Sequence, residues 1–131
     1  MPNFTNPEAF QYEAAALLAA GYSAFPMTFN WKYDVDNEFY PTETGQTRED
    51  IQSQTIHWLI KHQYLYCEYG FSQYWKGLGL TERGLIALNS VPDALTGKEP
   101  LGKRLTIAVG KGSLDVIKQL LPTFIQQSIT G

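Results

Sequence analysis

The sequence predicts an α+β fold, and three observations carry that expectation. Apolar residues recur at helical spacing in several stretches, and four of these open on capping chemistry. Two aromatic-rich runs flank a short glycine-containing break, as the strands of a β-hairpin do. The chain has 131 residues, 44% of them apolar, enough for a core that needs no cross-links.

The first helix opens chemically. Asn6 can cap orphan amides, Pro7 fits the first helical position, and Glu8 suits the positive end of the dipole. An Ala- and Leu-rich run from Ala9 to Ala20 follows, with Phe10, Ala14, Leu17 and Leu18 on one stripe and Gly21 as a stop. Residues 25–31 look extended, and Pro26 bars a central ladder position. The acidic Asp34-Val35-Asp36-Asn37-Glu38 suits one short turn, and Pro41 and Gly45 oppose regular structure before Thr47.

Thr47 then caps a second helix, with Asp50 where a capping box places its acid. Ile51, Thr55, Ile56, Leu59 and Ile60 give it an apolar face through about Lys61. Tyr64 to Tyr69 and Tyr74 to Leu80 read as the hairpin strands. Thr81 caps a third helix over Glu82 to Asn89, which Val91-Pro92 ends. Residues 93–100 read as a linker. Beyond it, Leu101, Leu105, Ala108 and Val109 form one helical stripe, and Gly110 and Gly112 break the chain. Ser113 caps a last helix carrying Leu114, Ile117, Leu121, Phe124 and Ile125, which Pro122 is expected to kink or split near Leu121. The expected organisation is a domain over residues 1–92, then a linker and helical hairpin over 93–131. That hairpin either packs on the domain or forms a homodimer interface.

Charge is divided unevenly. The formal net charge is −3 and the pI about 5.3, which argues against a protein that coats nucleic acid without selectivity. Residues 1–50 hold Lys32 and Arg48 against eight carboxylates, a balance of −6, while residues 51–131 carry +3. The basic excess falls at Lys98, Lys103, Arg104, Lys111 and Lys118, either a solvated helix face or a surface for an anionic partner. Cys67 is the lone cysteine, so neither a disulfide framework nor a cysteine-only metal site is available. No run approaches the roughly 20 apolar residues that span a bilayer. Met1-Pro2-Asn3 does not open a signal peptide, so the expected location is cytoplasmic, away from membranes.

Two pieces of local text carry a family resemblance. Thr55-Ile56-His57-Trp58-Leu59-Ile60-Lys61-His62-Gln63-Tyr64-Leu65 resembles a reading helix running into its wing. Leu80-Thr81-Glu82-Arg83-Gly84-Leu85 resembles the leucine, threonine, charged pair and glycine that leave a second wing strand. With the order helix, extended piece, helix, hairpin, helix, residues 7–90 resemble a winged helix-turn-helix domain of the small bacterial or prophage kind. The resemblance implies a two-stranded hairpin wing, a C-terminal helical extension and a DNA-binding transcriptional regulator. It also implies a short helix before the reading helix, which residues 34–46 suit poorly.

Groups able to read base edges or meet phosphates are Arg48, Gln52, Ser53, Gln54, His57 and Lys61 on the second helix and Lys76 on the wing. Glu49, Asp50 and Glu68 oppose the cations among them, whereas a DNA reader needs several cations on phosphates. The alternative is a protein-interaction module using an aromatic wing, with Phe71 and Tyr74 exposed near its tip and Trp58 in the core. No chemistry-bearing constellation stands beside these. His57 and His62 are five apart, not on one helix face, and Cys67 lies in a strand without electropositive neighbours. The acidic run at 34–38 lacks the sixth-position Gly and twelfth-position Glu of a calcium loop. Gly77-Leu78-Gly79 has no third glycine for a nucleotide turn. The sequence therefore points to a binding protein with no cofactor, not to an enzyme.

Overall fold

The computed structural model describes residues 5–32, 47–69, 74–92 and 98–130. They form α1 (Asn6–Ala24), β1 (Phe29–Lys32), α2 (Arg48–Lys61), β2 (Leu65–Cys67), β3 (Tyr74–Leu80), α3 (Glu82–Asn89), α4 (Leu101–Gly110) and α5 (Leu114–Thr130). The fold is α+β, with five helices and an antiparallel sheet. That sheet is the first difference from expectation. The hairpin strands are joined by β1 in the order β1-β3-β2. β1 sits at an edge, and Pro26 lies outside its paired residues. The expected turn at residues 34–46 lies outside the described residues.

The caps act where threonine stands. Thr5, not Asn6, caps α1: its side chain accepts from Glu8 N–H, and Glu8 returns a bond from Thr5 N–H. α1 runs past Gly21 and stops at Phe25-Pro26, where the residue before proline leaves the helical region. Thr47 and Thr81 cap α2 and α3 as expected. α5 continues through Pro122, which is exposed, while Leu120, Leu121 and Phe124 anchor that stretch in the core.

α1 is the central helix, touching all four others and the strands β1 and β3. Its Ala9, Ala14, Ala15, Leu17 and Leu18 are wholly buried, and the small residues let neighbours approach closely. Around it pack Ile56 and Leu59 of α2, Leu65, Leu78 and Leu80 of the sheet, and Leu88 of α3. Leu101 and Leu105 of α4 and Ile117 and Phe124 of α5 join the same core. Of the two tail stripes, Leu101, Leu105, Ala108, Ile117, Leu121 and Phe124 are buried within the chain, and Val109, Leu114 and Ile125 are half-buried. Trp58 is half-buried rather than in the core, edge-on to Phe10 at 5.0 Å.

Polar ties bind distant segments across this core. Tyr22 Oη donates to Asn89 Oδ1 (3.1 Å), and Tyr64 Oη and Ser128 Oγ lie 2.8 Å apart. Lys118 Nζ meets Glu8 Oε2 at 2.9 Å, so the basic tail is tied to the acidic first helix. The Lys118 bond first, then the Thr5 N–H and hydroxyl, hold the Glu8 carboxyl down at about 2, and the same pairing raises Lys118. A depressed carboxyl stabilises the fold above its unfolded value, and that contribution disappears as pH falls through the folded one.

Two outcomes follow. The thermal midpoint of the wild type should exceed that of Glu8→Gln at neutral pH, with the gap closing between pH 4.5 and about 2. The second concerns Gly84, where an added Cβ would lie 2.7 Å from the Tyr64 carbonyl oxygen. Gly84→Ala should cost roughly 1–3 kcal/mol in urea unfolding. Gly110→Ala, whose Cβ meets nothing within 4 Å, should be neutral or stabilising.

Candidate interaction site

Thr47 fixes where α2 begins, and from there helical spacing sorts its side chains. Gln52, Thr55, Ile56 and Leu59 turn inward and are buried. Asp50, Gln54, His57 and Lys61, four, three and four apart, form an exposed stripe on the other side. Ser53 is half-buried at its margin.

The inward face meets a residue that sequence reasoning passed over. Glu13 of α1 is a carboxylate with 1% of its surface exposed. Arg48 Nε lies 3.4 Å from Glu13 Oε1, and Gln52 Nε2 donates to Glu13 Oε2 at 3.3 Å. Gln52, expected among the reading groups, is only 4% exposed and turns its amide to Glu13 instead of the surface. Arg48 remains 39% exposed at its side chain, but its charge sits against Glu13. A buried carboxylate demands such donors, because an uncompensated one is among the costliest groups to hold in a core. The signal was in the sequence: Glu13 follows Ala9 and precedes Leu17 at four-residue spacing, an acid on a buried stripe.

Beside α2 stands the hairpin. Leu65 and Leu80 pair across it and point inward, while Tyr66 faces Gly79 on the outer side. A Cβ at Gly79 would overlap the Tyr66 ring, and one at Gly77 (φ +71°) would lie 2.8 Å from Tyr69 Cδ2. Two tyrosine rings therefore rest against glycine backbone, an arrangement known to offset the packing that glycine lacks in a sheet. Tyr66 is 38% exposed and Tyr69 75%. The paired Gly-Leu-Gly opposite Tyr-Cys-Glu-Tyr was the available signal for this surface. Phe71 lies outside the described residues, as does the side chain of Tyr74. His57 ties stripe to sheet, edge-on to the buried Trp75 at 5.0 Å. Cys67 is half-buried and donates to the Lys76 carbonyl, consistent with a packed side chain.

The electrostatics of this face are balanced. Among the described residues of α2, the hairpin strands and their flanks, Arg48, Lys61 and Lys76 are matched in number by Glu49, Asp50 and Glu68. No group of three or more His, Cys, Asp or Glu side chains among the described residues could hold a metal ion. No helix among them is long and apolar enough to cross a membrane. Comparison with family models, with curated proteins and with solved structures finds no match.

The inward and outward glutamines of α2 make contrasting predictions. Gln52→Ala, which strips a donor from the buried Glu13, should lower unfolding free energy by about 1–3 kcal/mol. Gln54→Ala, on the exposed stripe, should change it by less than about 0.5 kcal/mol. Denaturant unfolding of both variants reads the difference.

Proposed function

We propose that this chain is a winged-helix protein-interaction module, which docks a protein partner of low net charge on its wing and the adjoining α2 stripe. The observation that carries this reading is the aromatic outer face of the hairpin, where Tyr66 and Tyr69 stand exposed beside a charge-balanced helix. Tyrosines combine a large apolar ring with a polar tip at low entropic cost, which is why they concentrate in protein interfaces. The winged-helix part of the reading is supported by the element order and by a strand from before α2 completing the sheet as β1-β3-β2.

A second reading, a DNA-binding regulator, draws on the exposed row Gln54, His57 and Lys61, with Ser53 and Lys76 near it. It is the weaker one on charge. Phosphate contacts supply most of the non-specific affinity of DNA readers. Here Gln52 is buried and Arg48 is committed to Glu13.

Photocrosslinking separates the readings. A photoreactive residue at position 69, in cells of the source organism, should give a discrete protein adduct, whereas one at Gly110 should not. Once that partner is purified, Tyr69→Ala should weaken it at least about thirtyfold, the effect of an interface hot spot. Absence of any adduct would contradict the reading. So would duplex binding by the full chain that weakens steeply with salt and is reduced by Lys61→Ala.

A further inference from the structure

A cavity of about 460 Å³ opens between α4 and α5, formed in part by the basic tail. Its walls combine two kinds of surface. Ile107 and Val116 are exposed apolar side chains on facing helices, with Ala108 between them. Arg104, Lys111 and the Ser113 hydroxyl supply donors. The carboxylate at its edge, Glu99, is held by Lys103 Nζ at 3.3 Å. Two cations thus face one carboxylate that is already paired.

Arg104 is the decisive group. Its Nη1 is buried and donates to no atom, although the neighbouring tail cations Lys103 and Lys118 both have carboxylate partners. The Arg104 side chain is half-buried, and a guanidinium nitrogen withdrawn from water normally finds an acceptor, because a stripped donor costs free energy. A cavity with a half-buried arginine that has one unmatched nitrogen, a lysine beside it and aliphatic walls fits a ligand of the opposite pattern.

We infer that the α4–α5 cavity binds a small organic oxyanion, a carboxylate or phosphate on an apolar body, with Arg104 and Lys111 on the anion and Ile107 and Val116 against the body. This site is independent of the partner surface on the wing and stands or falls separately from it.

Calorimetric titration of the full chain at low ionic strength with inorganic phosphate, phenyl phosphate and hexanoate tests the site. Saturable one-to-one binding is expected, tighter for an anion with an apolar body than for inorganic phosphate. The order of phenyl phosphate and hexanoate distinguishes a phosphate ester from a carboxylate. Arg104→Met should weaken binding roughly tenfold or more, the effect of one charge-assisted hydrogen bond. Its thermal midpoint without ligand should be unchanged or raised, since an unmatched donor is removed. Lys111→Met, an exposed position, should weaken binding in the same direction and guards against an Arg104 variant that fails to fold. Failure of all three compounds to bind at millimolar concentration overturns the inference. So does binding that neither substitution alters.

Discussion

A single buried carboxylate organises the relation between the two helices on which any function of this face depends. Glu13 sits on the central helix with almost no exposure, and it needs donors that the surrounding Ala and Leu side chains cannot provide. α2 supplies them from its first turns, Arg48 at its first position and Gln52 four residues on. Because Thr47 fixes the helix start, meeting Glu13 also fixes the rotation of α2 about its axis. The rotation that presents Arg48 and Gln52 to Glu13 also buries Ile56 and Leu59 and turns Asp50, Gln54, His57 and Lys61 outward. Packing and surface chemistry are thus settled together. The helix that could have offered a cation and an amide to a polyanion directs both at its own core.

The uneven charge of the chain has a similar resolution. An acidic first segment and a basic last one are joined at Glu8 and Lys118, where α5 lies against α1. Lys103 is spent on Glu99, and Arg104 and Lys111 line the α4–α5 cavity. None of these cations sits on α2 or the hairpin strands. The tail meets the hairpin through Tyr64 and Ser128 instead, a neutral contact backed by the Tyr64 and Phe124 rings at 4.9 Å. The basic tail therefore braces the fold and frames a cavity, and it adds no cation to α2 or the hairpin strands.

Much of this architecture was legible in the sequence. Threonine caps, helical spacing from Ile51 to Ile60 and the paired aromatic runs located α2, α3 and the hairpin within a residue or two. What escaped was long-range. β1 pairs with β3 across more than forty residues, and four residues carry no local sign of which neighbour they will bond. Gln52 looked like a surface residue because it was judged by its type, and Glu13 drew no attention, whereas burial follows the stripe on which a residue falls. The outer tyrosines escaped for a related reason. Their placement depends on glycines of the neighbouring strand, Gly77 for Tyr69 and Gly79 for Tyr66, and only the strand register brings Tyr66 over Gly79.

The most direct test of the central claim is a double-mutant cycle between Glu13 and Arg48, using Glu13→Gln, Arg48→Met and the double variant in denaturant unfolding. If the buried carboxylate holds α2 through this pair, the two substitutions should couple by about 1 kcal/mol or more, the range seen for residues in one polar network. Strict additivity, within about 0.3 kcal/mol, would mean that the pair does not set the rotation of α2, and would contradict the account.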